Sequence, residues 1–389
     1  MPDELQVVFI ADDTLEVWKA GEWDELLSRS SIFHPSLSKD GEWVIFYQEL
    51  SLDPRKSEIW ALRTDGNDLH RLLSAEEIAS LAEDDSQLIP DQISWLPNNH
   101  QLVFNTQELT EGPPGYRPSY DLYLLDISGE ITKLAGPGEG GEFYPSPDGR
   151  YLAVAKPSRI ALFDLETGTH RTLLEVDPYI GPIGPPRPPV LYWDKNNQFI
   201  TTNILPKNVY YPYMYSGEPE QIWRLGINGQ TERIVEVDPL PGLGSAIRFS
   251  PHAAHYFYFE MGQCLDGAAW IIHLRSLSTG NEILEIPCTF SMPEWAPDGK
   301  HFLYKEEGKW ILGTVGNASQ KHLEFLDIPL GTKEYPSQNI RWIDQFYFLK
   351  DVKNSEGCTI YLGSLDGIIT KIFHTNSSYC PSTSYSVSN

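Results

Sequence analysis

The sequence predicts an all-β protein, a β-propeller of eight four-stranded blades. Three observations carry that reading. A short phrase recurs along the chain, each copy is followed by a hairpin with a tight polar turn, and the two ends read as complementary parts of one more unit. The phrase appears as FHPSLSKDGEWVIFYQ from Phe33, FYPSPDGRYLAVA from Phe143 and PEWAPDGKHFLYK from Pro293. Looser copies are ISWLPNNHQLVFN from Ile93, LYWDKNNQFITTN from Leu191, IRFSPHAAHYFYFE from Ile247 and IRWIDQFYFLK from Ile340. A β-unit repeated every few dozen residues implies an array of packed sheets.

Within a unit, the aromatic-Pro corner ends strand a, a polar turn follows, and an apolar run makes strand b. Strands c and d come next, as in EIWALRTDGNDLHRLL (58–73), DLYLLDISGEITKLA (121–135) and QIWRLGINGQTERIV (221–235). Their turns centre on Asp65-Gly66, Ser128-Gly129, Thr167-Gly168, Asn228-Gly229, Thr279-Gly280 and Asp366-Gly367, pairs that supply the positive φ of tight hairpins. Alternation of large apolar and polar residues predicts one buried face per strand.

Seven strand-a anchors lie at Pro35, Pro97, Pro147, Trp193, Pro251, Pro297 and Trp342. Before them, residues 7–27 read as strands b, c and d with no strand a. The closing SYCPSTSYSVS (378–388) reads as a strand a with nothing after it. Blade 1 is therefore expected to be shared between residues 6–28 and 379–388, making residues 1–389 one closed domain without exposed sheet edges. Seven blades with a trailing tail is the alternative.

These repeats resemble TolB-like (WD-type) propellers, whose signature is an aromatic-Ser-Pro-Asp-Gly corner, a strand, and an Ile-Trp/Tyr hairpin closed by Asp-Gly. The match is strongest at 35–41, 145–149 and 293–299 and extends over nearly the whole chain. The resemblance implies the fold and leaves function open, because propellers host unrelated activities. The proline-rich form is similar to uncharacterised envelope propellers of bacteria.

A net charge of −25 argues against nucleic acid and anionic membrane surfaces as partners, since both call for clustered Lys and Arg. Its plainest reading is the solubility of a large β-protein. No apolar run reaches membrane-span length. The opening MPDELQVVFI lacks the basic start and apolar core of a secretory signal. A strand that begins so early suits a chain whose leader or lipid anchor lay upstream, and a natural cytoplasmic start suits it equally. The four cysteines favour the first view. Cys264 and Cys288 in blade 6 occupy the same topological positions as Cys358 and Cys380 in blade 8, so two disulfides are expected, hence an oxidising, extracytoplasmic compartment (periplasm, cell surface or secreted). Four free thiols in a cytoplasmic protein is the alternative. With no Cys-x-x-Cys pair, a zinc site built from these cysteines is not expected.

Loop lengths carry the functional expectation. The a–b and c–d turns share one face and are short, whereas the b–c and d–a connections share the other and hold all the long insertions. A short helix is expected after Ser74. The insertions of blades 3 to 5 are rich in Tyr, Arg and Pro, and Tyr116, Arg117, Tyr179, Arg187, Tyr210, Tyr211, Tyr213 and Tyr215 are the candidate ligand-binding residues. Tyr and Arg on stiffened loops make contacts at low entropic cost; packing into a small core of the loops themselves is the competing role. No nucleophile elbow, zinc-protease helix or calcium loop occurs. His252, His255 and His273 of blade 6 read as turn or surface residues, and Glu76-Glu77 and Asp84-Asp85 as a solvated helix face. The expected function is a non-catalytic propeller of the bacterial envelope or exterior, with a protein or peptide partner and no cofactor or metal. Two alternatives stand beside it: a hydrolase or lyase acting on carbohydrate or peptide in the central funnel, and a cytoplasmic scaffold.

Overall fold

A computed structural model describes residues 5–50, 57–97, 100–110, 116–177, 188–205, 218–238, 247–264, 267–289, 292–306, 309–326, 338–354, 357–376 and 380–387. They form eight antiparallel sheets in a propeller ring, with almost no helix. Blade 1 takes strands b, c and d from Leu5–Ala11, Thr14–Lys19 and Glu22–Ser28, and its strand a from Ser382–Val387. The register runs from Leu5 opposite Val387 to Ile10 opposite Ser382. The ring is thus closed by the far end of the chain, as the complementary ends predict, and the seven-blade alternative is excluded.

The remaining blades run a to d in chain order. Blade 2 is Ile32–Leu37, Trp43–Glu49, Ser57–Arg63 and His70–Leu73. In blade 3, strands a, b and d are Leu88–Trp95, Gln101–Leu109 and Ile131–Ala135; strand c comes in two pieces, Tyr116–Pro118 and Leu122–Asp126, both paired to strand b. Blade 4 is Glu142–Pro145, Tyr151–Lys156, Arg159–Asp164 and Thr169–Glu175, and blade 5 is Leu191–Trp193, Phe199–Ile204, Glu220–Gly226 and Thr231–Val237. Blade 6 is Ile247–Phe249, His255–Cys264, Gly267–Ser276 and Glu282–Thr289. Blade 7 is Glu294–Trp295, His301–Glu306, Lys309–Thr314 and Asn317–His322; blade 8 is Gln338–Trp342, Tyr347–Asn354, Gly357–Ser364 and Ile369–Thr375.

The recurring corner is a hydrogen-bonded device. In blade 4, Ser146 Oγ donates to Asp148 Oδ1 at 2.6 Å and accepts from Tyr151 N at 2.9 Å. Blade 2 repeats it with Ser38, Asp40 and Trp43 at 2.6 and 2.9 Å. The glycine after the aspartate has two reasons to lack a side chain at Gly299. Its φ is +65°, and a Cβ there would stand 2.8 Å from Pro251 O of blade 6.

The expectation of one buried face per strand needs correction for strand b. In blades 1 and 2 it is buried along nearly its whole length. Blades stand side by side, so each face of strand b meets a neighbour, and such strands read as continuous apolar runs. In blade 1, Val7 and Phe9 pack toward blade 8 while Val8 and Ile10 pack toward blade 2. The core is accordingly divided among the junctions between consecutive blades, each of which has its own apolar cluster.

Polar links tie neighbouring inner strands. Trp95, Trp193 and Trp342 each donate an indole N–H to a strand-a carbonyl of the preceding blade: Ser36 at 3.1 Å, Tyr144 at 2.9 Å and Glu294 at 3.1 Å. At the closure, Ser384 Oγ accepts from Leu37 N at 3.0 Å, while Arg341 donates to Thr383 and the Tyr385 hydroxyl to Trp342 O. Cys358 and Cys380 are bridged, joining strand c of blade 8 to the segment entering the closing strand. That is one of the two expected disulfides. The backbones of Cys264 and Cys288 lie in strands b and d of blade 6, and their side chains fall outside the described residues. The expected helix forms at Ala75–Ala79, with Ser74 as its N-cap in a capping box with Glu77. Glu77 therefore holds the helix start instead of facing solvent freely.

Candidate binding cleft

Where strands a of blades 2 and 3 begin, on the long-loop face, the ring opens into a cleft of about 510 Å³. Both walls are irregular at this point. The pairing of strands a and b slips between Phe33 and Ser36 in blade 2, and between Pro90 and Ile93 in blade 3. A bulge re-aims side chains that a regular ladder would bury between sheets. Here the bulges bring His34 and Pro35, then Asp91 and Gln92, into one wall lining. His34 is held at φ +51°, a sparsely populated conformation for a residue with a side chain.

One side of the cleft is aromatic. Phe33 stacks on Tyr47 with centroids 5.6 Å apart, and His34 meets both rings edge-on at 5.1 and 6.2 Å. The other side, from blade 3, is polar and carries the acid Asp91, with Gln92 and Gln107, while Glu49 belongs to blade 2, two residues beyond Tyr47 on the same strand. None of the described lining residues is Lys or Arg. Asp91 is open to solvent, yet the cleft walls take part of its hydration, and Asp121 adds like charge. Together they push its carboxyl above the ordinary aspartate value. Burial, with Asp91 adding to it, pushes the Tyr47 phenol well up, so it remains a neutral hydroxyl.

A buried polar layer braces the acidic wall. Strand c of blade 3 breaks at residues 119–121, with Tyr120 at φ +51°, and the break turns Asp121 inward. Asp121 is 0% exposed and accepts from Thr106 N at 2.7 Å and Thr106 Oγ1 at 2.6 Å. Burial raises its carboxyl, and the Thr106 donors only partly offset this. Asn105 accepts from Gln92 N at 2.8 Å and donates to Gly141 O at 3.0 Å, and Gln92 Nε2 reaches Phe143 O in blade 4 at 3.0 Å. The bulged residue Gln92 is thus fixed from two blades. Burial, then Glu142 and Asp91, raise the Tyr120 phenol.

The candidate residues read from the loops divide into two groups. Arg117 is in strand c of blade 3, well exposed, and pairs with Glu108 at 2.5 Å. Tyr116 sits beside it opposite Leu109, and its side chain falls outside the described residues. Tyr179, Arg187, Tyr210, Tyr211, Tyr213 and Tyr215 all lie outside the described residues. Sequence reasoning passed over His34, Tyr47 and Asp91. The signal available was Pro35 and Pro90, prolines inside inner strands, where proline marks a bulge or an edge. The histidines of blade 6 require a correction too. His252 lies in a turn, but His273 is in mid-strand, 8% exposed, with its ring toward carboxylates of both neighbouring strands.

The chain is similar in fold to several solved structures. A dipeptidyl peptidase 4 from Porphyromonas gingivalis aligns with 89% of this chain at 14% identity and a TM-score of 0.57. A eukaryotic initiation factor aligns over 96% of this chain and 97% of its own at 10% identity, TM-score 0.58. A prolyl endopeptidase aligns with 92% of this chain at 12% identity, TM-score 0.53. The chain spans about half the length of the two peptidases, 54% and 50% of theirs. Likeness at this identity establishes the fold. No family model and no curated protein matches the sequence, so the resemblance to TolB-like propellers rests on the repeated corner itself.

Proposed function

We propose that this chain is a non-catalytic binding propeller that receives a cationic stretch of a protein or peptide in the cleft between blades 2 and 3. The carrying observation is the pair of facing bulges, which bring the rings of Phe33, His34 and Tyr47 in blade 2 and the carboxylate of Asp91 in blade 3 into one cleft, with Glu49 following Tyr47 on its strand. Aromatic rings and carboxylates lining one cleft suit an ammonium or guanidinium group, attracted by ring quadrupole and charge together. The net charge of −25 steers such a partner from a distance. Tyr116, Arg117 and the long insertions that the sequence places in blades 3 to 5 are proposed to contact the rest of the partner. An extracytoplasmic location is proposed with it, supported by the Cys358–Cys380 bridge.

Calorimetric titration of the full chain with short capped peptides tests the reading. A Lys- or Arg-containing peptide should bind and its Glu-containing counterpart should not. Asp91→Asn should weaken binding about fivefold, the scale of a partly screened charge pair. Because the Asp91 carboxyl titrates above the ordinary range, affinity should fall early as pH drops and Asp91 takes up its proton. The Asn variant should lose that dependence. Equal binding of acidic and basic peptides would sink the cleft assignment, and cleavage products by mass spectrometry would sink the non-catalytic part.

A further inference from the structure

On the flank of blade 6, in a different blade pair from the cleft, a histidine is enclosed by carboxylates. His273 lies in mid-strand c, with Tyr258 of strand b and Glu285 of strand d directly opposite. Its side chain is nine-tenths buried. Nδ1 lies 2.8 Å from Glu282 Oε2 and 3.9 Å from Glu285 Oε2. On the other side of the ring, Nε2 is 3.4 Å from Glu260 Oε2, is shielded from water and makes no hydrogen bond among the described residues. Ligand atoms of His273, Glu282 and Glu285 all lie within 4.8 Å of one another.

A neutral imidazole carries one N–H. Placed on Nδ1 it serves Glu282, and the Nε2 lone pair then faces Glu260. Placed on Nε2 it leaves the Nδ1 lone pair facing Glu282 and Glu285. Either tautomer sets a lone pair against negative charge. Arg275 relieves little of this, because its guanidinium stands over the Tyr258 ring and reaches only 3.9 Å from Glu282. The geometry calls for positive charge at Nδ1, between the ring and the two strand-d carboxylates.

We propose that blade 6 binds a divalent transition-metal ion of the zinc type, with His273 Nδ1, Glu282 and Glu285 as ligands. One imidazole nitrogen with carboxylate oxygens is a donor set such ions accept, and water completes it on the exposed side. The Nε2–H is then free to donate to Glu260, the carboxylate behind a ligating histidine that fixes its tautomer. The ion would fasten strand d to strand c beside the register slip between Leu274 and Arg275. A second group, Asp40, Glu42 and His100, has similar composition, but its histidine is about a third exposed where His273 is buried. It serves as the internal control.

The full chain, stripped with a chelator, should take up one tightly held zinc ion per molecule on titration with zinc chloride. Glu285→Gln should weaken that uptake at least tenfold and His273→Ala should remove it. Asp40→Asn with His100→Ala should leave it unchanged. Because His273 is buried, the Glu285 variant, at an exposed carboxylate, keeps the test decisive if the alanine variant misfolds. Tight zinc uptake indifferent to Glu285→Gln overturns the proposal. So does absence of uptake together with nitrogen-15 spectra that place protons on both ring nitrogens of His273 at neutral pH, which would give the positive charge to a proton.

Discussion

Single hydrogen bonds distinguish otherwise similar tryptophans in this ring. Trp95, Trp193 and Trp342 each place the indole N–H on a carbonyl of the preceding blade, whereas the Trp295 indole nitrogen is buried with no hydrogen bond among the described residues. Substitution by Phe removes the same volume at all of them but strands a carbonyl only at the first three. Denaturant unfolding should find those three costlier than Trp295→Phe by about 1–3 kcal/mol; equal costs would refute the stapling role. Asp121 gives a second residue-scale outcome. Its folded-state value is raised, so the native protein holds this proton more tightly than the unfolded chain does. The group's contribution is most favourable at low pH, falls as pH rises through the folded value, and stays a fixed cost above it. Asp121→Asn should therefore lose less stability than wild type between pH 4 and pH 7, and parallel curves would argue that the Thr106 donors compensate the charge in full.

At the level of elements, what the sequence disclosed followed the strength of local signals. The Ser-Pro-Asp-Gly corner is legible because serine and aspartate satisfy the turn from within five residues, as Ser146 and Asp148 do. The helix after Ser74 is legible for the same reason, its cap being local. Removing that cap with Ser74→Ala should cost roughly 1 kcal/mol by thermal or denaturant unfolding, felt by the whole fold because Ile78 packs into the core between blades 2 and 3. The bulges at His34 and Asp91 were not legible. Each depends on how strand a meets strand b, a pairing across the turn that periodicity within one strand does not record. The burial of His273 was missed for a related reason: strand c alternates, but periodicity within it does not record which side chains of strands b and d close around its polar face.

For the whole molecule, the decisive legible feature was the mismatch of the two ends. Residues 7–27 without a strand a and a final strand without its blade predict the closure, which the pairing of Leu5–Ala11 with Ser382–Val387 realises. Deleting residues 380–389 should open blade 1 and expose its neighbours, lowering the melting temperature by many degrees or causing aggregation. Replacing Cys358 and Cys380 by serine is milder and should cost on the order of 2–4 kcal/mol, as measured by denaturant unfolding under oxidising conditions; no change would mean the bridge does not form in solution. The cleft, by contrast, rests on details that the repeat averages away. In blades 2 and 3 the pairing of strands a and b slips beside Pro35 and Pro90, inside the inner strands.

The antiparallel closure also determines how the ring answers to pulling. Leu5 and Val387 sit side by side, so a load applied through the chain at these two positions opens their hydrogen bonds one rung at a time, from Leu5–Val387 toward Ile10–Ser382. Such peeling needs far less force than sliding the strands past each other. Once the closing strand is free, tension arrives at Cys380 and passes across the bridge to Cys358, bypassing the last hairpin strand of blade 8 between them. Stretching between residues 5 and 387 should therefore give an early, low-force event for the closing strand, then extension in which the segment between the two cysteines stays slack until the bridge is reduced.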